Sequence, residues 1–437
     1  MSPTTFLGMR GTGDWGTDER PKNFREGILF DNPNGTAPLT AILSRMDNTR
    51  VDDPEFSWWT QELPTQSATI TAPSDSGSGG TVWTNTGLTT EMSSGAAVAG
   101  QPAFFGLDTE ADRKPFKIGH QVVFRQTAKP HLDINARVTS NTVAEGDGVF
   151  EVGTVLLESE HNADDLKACT VVQVVGSVNE EGASRPEAQS LDPSKHYNYT
   201  QIFRTSHEIS RTAVKTRLRS KKALAGTRRD SLELHMMEIE KAFIFGARRE
   251  DTSGTKPLRS TDGIISGIRR NTPANISDFV VDKSGTAWLT NGKTWLEDNL
   301  EQIFRYGDKE KLALCGSGAL LALNRLADNI ADVHIKPGEK AFGIKVTEWT
   351  TPFGSVNLLT HPLFSDVAST RNSMLIVEPR RLKYRFVDDT MFISDDLRKK
   401  RGGANSVDAY QEEYLTECGL EYSHTRAMGY LTQVGVG

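Results

Sequence analysis

The chain is 437 residues long, enough for about three domains, and its 37% apolar content is that of an ordinary globular protein. A net charge of −7 excludes the strongly basic balance of a dedicated nucleic-acid binder. Three widely spaced cysteines (Cys169, Cys315 and Cys418) exclude a disulfide framework, and no apolar run approaches the ~20 residues of a membrane helix. Met1–Arg10 lacks the apolar core of a signal peptide, so the expectation is a product of a reducing cytoplasm.

Residues 1–50 carry six basic and six acidic side chains among scattered glycine and proline, which reads as an extended arm. A short helix is expected at 38–46, started by Pro38, with Leu39, Ile42, Leu43 and Met46 on one face. Val51 to Asp112 then contains no Lys or Arg against nine acidic side chains, among them Asp52, Asp53, Glu55, Glu62, Asp75 and Glu91. Phe56-Ser-Trp-Trp59 reads as a strand, and the glycine-serine run 74–80 as a loop tip. A segment this long is expected to project from its domain.

Residues 113–178 read as β-rich. Leu132, Ile134, Ala136 and Val138 alternate with polar neighbours, the period of a half-buried strand. Tyr197 to Phe203 is an aromatic strand suited to pair with Phe56–Trp59. The stretch Arg204–Asp230 then holds nine basic side chains against Glu208 and Asp230: Arg204, Arg211, Lys215, Arg217, Arg219, Lys221, Lys222, Arg228 and Arg229. Its +7 leaves −14 for the rest of the chain, so charge is segregated along the sequence.

The clearest helix is expected over 227–245. Thr227 is placed as its N-cap, Leu232, Met236, Ile239 and Phe243 form one apolar stripe, and Gly246 ends it in the left-handed conformation. Further helices are expected at 294–306 and 318–330, with strands at 312–315, 344–349, 355–360, 373–378 and 382–387 and a strand-rich end from 409 to 434. This order is α+β, with no βαβ repeat.

Motifs that carry chemistry fail on context. Gly11-Thr-Gly13-Asp-Trp-Gly16 matches G-x-G-x-x-G but has neither the strand nor the helix that a dinucleotide needs. Leu312-Ala-Leu-Cys-Gly-Ser-Gly318 lacks the phosphate-loop lysine and reads as a turn. His207-Glu208 begins H-E-x-x-H, but Arg211 replaces the second histidine. The acid pairs Glu412/Glu413 and Asp388/Asp389 are adjacent, so in strands they point to opposite faces. No catalytic, cofactor or metal residue is assigned. The basic clusters lack the interleaved aromatics of a single-strand binder and read as charged or subunit-facing surface.

Several segments carry a resemblance: Pro38-Leu-Thr-Ala-Ile-Leu-Ser-Arg-Met46 with Phe56-Ser-Trp-Trp59, Tyr199-Thr-Gln-Ile-Phe203, Glu240-Lys-Ala-Phe-Ile-Phe-Gly246, Thr261-Asp-Gly-Ile-Ile-Ser-Gly267 and Thr350-Thr-Pro-Phe-Gly-Ser-Val356. In this order and spacing they resemble the major head proteins of certain tailed bacteriophages, the SU-ten-like capsid family, over essentially the whole chain. The resemblance implies a Hong Kong 97-type capsid fold. Residues 1–50 would be the N-terminal arm, and 51–215 the extension loop with a β-rich insertion at about 113–178. Residues 216–308 would form the peripheral domain around a spine helix at 227–245, 309–401 the axial domain, and 402–437 strands returning to both.

It also implies a structural subunit, no enzyme, that assembles in the host bacterial cytoplasm into hexamers and pentamers of an icosahedral shell. Its expected partners are copies of itself, a decoration or cement protein, a portal and the packaged DNA, with no membrane. The nine basic and six acidic side chains named above would then meet between subunits. The alternatives are another self-assembling virion part (tail tube or sheath) and a carboxylate-dependent hydrolase with a β-rich accessory domain.

Overall fold

In the computed structural model the described residues are 48–61, 66–70, 96–97, 99–100, 102–107, 109–126, 128–143, 150–159, 161–162, 165–166, 168–179, 192–216, 223–329, 335–341, 344–396 and 409–436, with the single positions 39, 181 and 190. They fall into two units, one from residues 1–60 and 195–437, the other from 61–194.

The 61–194 unit is built on a six-stranded antiparallel sheet. Its spatial order is Ser67–Thr69, Val171–Ser177, His120–Arg125, Ile134–Val143, Phe150–Leu156 and Pro102–Leu107. The expected alternation is realised: Ile134, Ala136 and Val138 are buried, and Val122 stands opposite Ala136. Phe105 meets Phe116 and Phe124 edge to face in the core. The sheet is wider than the β-rich stretch 113–178 read from the sequence. It recruits Ser67–Thr69 and Pro102–Leu107, and the second of these supplies core residues Phe105 and Leu107. Proline opens the Pro102–Leu107 strand at the sheet edge, where a missing N–H costs no ladder bond.

In the larger unit, a four-stranded sheet runs in the order Asn48–Arg50, Leu382–Asp396, Ala409–Tyr422, Gln201–Ser210. The first pair is parallel and the others antiparallel. A helix of 23 residues, Ala223–Phe245, packs on one face of this sheet. Glu55–Thr60 and Ser194–Tyr199 form a separate two-stranded pair. The aromatic stretch expected as one strand is thus two, divided at Thr200, and its first half is the partner of Phe56–Trp59.

A seven-stranded mixed sheet has the order Ile276–Asp278, Gly429–Thr432, Met374–Val377, Glu310–Cys315, Gly354–Thr360, Ile344–Thr351, Ile335–Ala341. Strand alternation divides its side chains between two cores. Ala313, Cys315, Met374 and Ile376 join the helices Trp288–Phe304 and Ser317–Asn329 through Trp295, Leu296, Leu300 and Leu323. Leu312, Leu314, Leu375 and Val377 join Ile264, Ile268, Phe243 and Leu39. The chain crosses between the two sheets more than once. Residues 276–278 and 288–304 belong with the seven-stranded sheet, and 382–396 returns to the four-stranded one, so sheet membership does not follow cuts at 309 and 401.

Candidate assembly surfaces

The long helix begins at Ala223, four residues before the expected start, so Thr227 is an interior residue and not its N-cap. Ala223-Leu-Ala are strong helix formers and extend the helix outward. Gly246 closes it without a positive φ. The reason for glycine is close approach: a Cβ there would lie 2.6 Å from the Thr261 carbonyl oxygen. Of the expected stripe, Ile239 and Phe243 are buried, Met236 is half-buried and Leu232 is 38% exposed. The buried line in the first half of the helix instead runs through Ser231 and His235.

These polar residues meet a polar strip of the sheet. His235 Nε2 lies 2.7 Å from Thr416 Oγ1, which donates onward to Thr390 Oγ1 (2.9 Å), while Nδ1 faces Thr205 Oγ1 at 3.0 Å. Burial pushes the His235 imidazole below its ordinary value, against a smaller opposing effect of Glu238. Two turns towards the helix start, Arg228 Nε donates to Glu412 (2.6 Å) and its Nη2 makes a second bond to the same carboxylate. Glu412 is 1% exposed and also accepts from His207 Nε2 and Ser394 Oγ, each at 3.0 Å. The Arg228 guanidinium holds the Glu412 carboxyl below the usual carboxylate range. Arg228 also stacks over the Phe392 ring at 5.1 Å.

Several basic side chains expected to face a neighbour are therefore engaged within their own chain. Arg204 grips Glu413 through Nη2 (2.6 and 2.7 Å) and Nε (3.2 Å), and Arg229 pairs with Glu233 one turn on (2.8 Å). Arg211 and Lys215 are exposed on a short helix, Arg211–Lys215, capped by Ser210 Oγ. Arg217, Arg219, Lys221 and Lys222 lie outside the described residues, as do Glu62, Asp75 and Glu91. Asp52, Asp53 and Glu55 are exposed; Asp53 Oδ1 accepts the Glu55 N–H (2.8 Å), and Glu55 lies 3.9 Å from Lys195.

The sequence reading missed a fully buried pair. Glu240 Oε1 accepts from His361 Nε2 (2.7 Å) and from the Leu39 backbone N–H (2.7 Å), and all three residues are 0% exposed. His361 Nδ1 accepts the Leu363 N–H (3.2 Å) at the start of helix Pro362–Asp366, which leaves the ring proton on Nε2. The one available signal was a carboxylate set between the stripe residues Ile239 and Phe243. A second missed cluster joins buried Asp262 to Arg270 Nη1 (2.7 Å) and to the Tyr422 hydroxyl.

The phosphate-loop mimic is a turn: the Gly318 and Ala319 amides both donate to the Arg371 carbonyl (3.1 and 3.2 Å), which occupies the place an anion would take. Among the described residues no group of His, Cys, Asp or Glu is arranged to hold a metal ion. Among them, too, no helix is long and apolar enough to cross a membrane.

The far face of the four-stranded sheet follows from register. Ile202, Glu417 and Asp388 form one row, Arg204, Leu415 and Met391 the next, and Ser206, Glu413 and Ile393 the third. Ile202, Met391 and Ile393 are 60%, 41% and 37% exposed. The residues opposite in parity (Thr205, His207, Glu412, Thr416) are those under the long helix, so this strip lies on the other side of the sheet.

Residues 5–435 match the family described as SU10 major capsid protein. The major capsid protein of Pseudomonas phage PaMx41 is 26% identical over 386 residues, which is 84% of this chain and 79% of that one. Among solved structures, the capsid of a native GTA particle matches with 8% identity and a TM-score of 0.44 over 96% of this chain and 97% of that one. Mycobacterium phage Bobi matches with 10% identity and a TM-score of 0.43 over 96% and 93%. Because the family match runs over nearly the whole length, the chain belongs to the SU10 major capsid protein family.

Proposed function

We propose that copies of this chain close into hexamers and pentamers of an icosahedral head shell, assembled in the host cytoplasm around or ahead of packaged double-stranded DNA. Family membership makes the protein a major capsid protein of a tailed phage, a structural virion component with the α+β, Hong Kong 97-type fold and not an enzyme. The near-complete span of that match is the observation that carries the reading. A tail tube, a sheath or a hydrolase is not favoured by it.

Within this reading, residues 1–50 serve as the arm, the 61–194 unit as the insertion in the extension loop, the long helix with the four-stranded sheet as the peripheral domain, and the seven-stranded sheet as the core of the axial domain. A portal, a cement protein and DNA on the inner face complete the set of partners. Charge segregation supports a contact in which the basic stretch of one copy meets an acidic surface of the next, setting register more than affinity. Arg204, Arg228 and Arg229 already have partners inside the chain, so Arg217, Arg219, Lys221 and Lys222 are the side chains to test. Their joint replacement by Glu abolishes closed shells in negative-stain images while the subunit keeps its circular dichroism. Normal shells from that variant refute the contact, and tubes or dispersed monomers from the unaltered protein refute the shell.

A further inference from the structure

The far face of the four-stranded sheet is apolar along its middle and acidic around it. Ile202, Leu415, Met391 and Ile393 form a strip across three strands, and three of them are at least 37% exposed. The carboxylates of Glu208, Glu413, Glu417 and Asp388 stand on the same face as the Arg204 guanidinium, and Arg50 reaches within 4.0 Å of Asp388. Arg204 is bound to Glu413, which leaves the rim acidic. Towards Gly419 the same face is closed: a Cβ there would lie 2.8 Å from the Phe56 ring. Among the described residues, cover therefore stops where the exposed strip begins.

The complementary chemistry lies in the same chain. Residues 211–222 contain six basic side chains and no acidic one, with Val214 and Leu218 four apart. This segment joins two elements of its own chain. It leaves the strand Gln201–Ser210 at its end and must enter the helix Ala223–Phe245, whose start is tied to the opposite face by the Arg228–Glu412 pair. Only six residues, 217–222, separate its described part from that helix.

We propose that the acid-rimmed apolar strip receives the basic segment 211–222 of a second copy, a head-to-tail contact of the kind that closes rings. The apolar strip takes the aliphatic side chains and the stems of Lys and Arg, and the rim carboxylates take their charged heads. This rests on the shell reading above and names the acidic surface that the basic stretch meets.

The test is a charge swap read by sedimentation of assembled shells. Replacing Lys215, Arg217, Arg219 and Lys221 by Glu lowers the assembled fraction at least about tenfold. Adding Glu208→Lys and Asp388→Lys in the same chain restores most of it, whereas adding Glu62→Lys, Asp75→Lys and Glu91→Lys does not. Rescue by the second set alone, or by neither, overturns the sheet-face site and leaves the shell reading standing. No loss from the first replacement overturns this site and the basic contact together. A cross-link settles the copy: Leu218→Cys with Met391→Cys gives a ladder of multimers on oxidation. A cross-link confined to monomers overturns the second-copy occupant.

Discussion

Replacing Glu240 with alanine removes one carboxylate that satisfies two buried donors far apart in sequence. Both the His361 Nε2–H and the Leu39 N–H lose their acceptor in a site closed to water. An unsatisfied buried donor costs about 1–3 kcal/mol, and breaking a buried pair from one side costs about 3–5 kcal/mol. The expected loss is therefore about 3–5 kcal/mol, felt in two places: the 362–366 turn loses the anchor of its capping histidine, and Leu39 loses its tether to the long helix. Glu240→Gln keeps an oxygen acceptor and is expected to cost about half as much. Denaturant midpoints measure the first effect, and limited proteolysis within residues 1–47 measures the second. If Glu240→Ala leaves the midpoint and the cleavage rate unchanged, the carboxylate does not hold the arm. Leu39→Ala provides the control, since it should free the arm at a cost of about 2–5 kcal/mol with His361 still paired.

Two other predictions address the sheet and the polar seam. Gly419→Ala places a Cβ 2.8 Å from both the Phe56 ring and the Tyr199 carbonyl oxygen, and is expected to lower the thermal midpoint by an amount matching about 1–3 kcal/mol; an unchanged midpoint refutes the close contact. For His235, burial lowers the folded value below the ordinary 6.5, so the ring stays neutral in the folded chain. The unfolded chain binds a proton first as pH falls, so this stability is complete above about pH 6.5 and is lost as pH drops towards the folded value, with a slope of at most about 1.4 kcal/mol per pH unit. His235→Gln removes that slope from denaturant midpoints measured between pH 7.5 and 5.5, and an unaltered slope refutes the assignment.

Much of the fold was legible because its signals are local. The alternation at Ile134, Ala136 and Val138, the aromatic strand at Phe56–Trp59 and the apolar side of the helix expected at 294–306 need only period and residue type. The strands and the buried Trp295, Leu296, Leu300 and Ile303 lie where those signals put them, although the helix itself runs Trp288–Phe304 and starts six residues earlier. Thr227 misled because a good capping residue cannot report that the preceding residues also favour helix. Leu232 misled for a different reason. The face a helix buries is chosen by the sheet beneath it, and here that sheet offers Thr205, His207, Glu412 and Thr416.

The basic stretch shows the same limit. Sequence placed nine positive charges together, but the acids that engage Arg204 and Arg228 arrive from strand 409–422, about two hundred residues away. The sequence by itself determined the family, the element types and the segregation of charge, because all of these are written in local order and composition. Only the tertiary structure decided which charges are consumed at home and which face remains open. Those outcomes depend on register between strands brought together from distant parts of the chain.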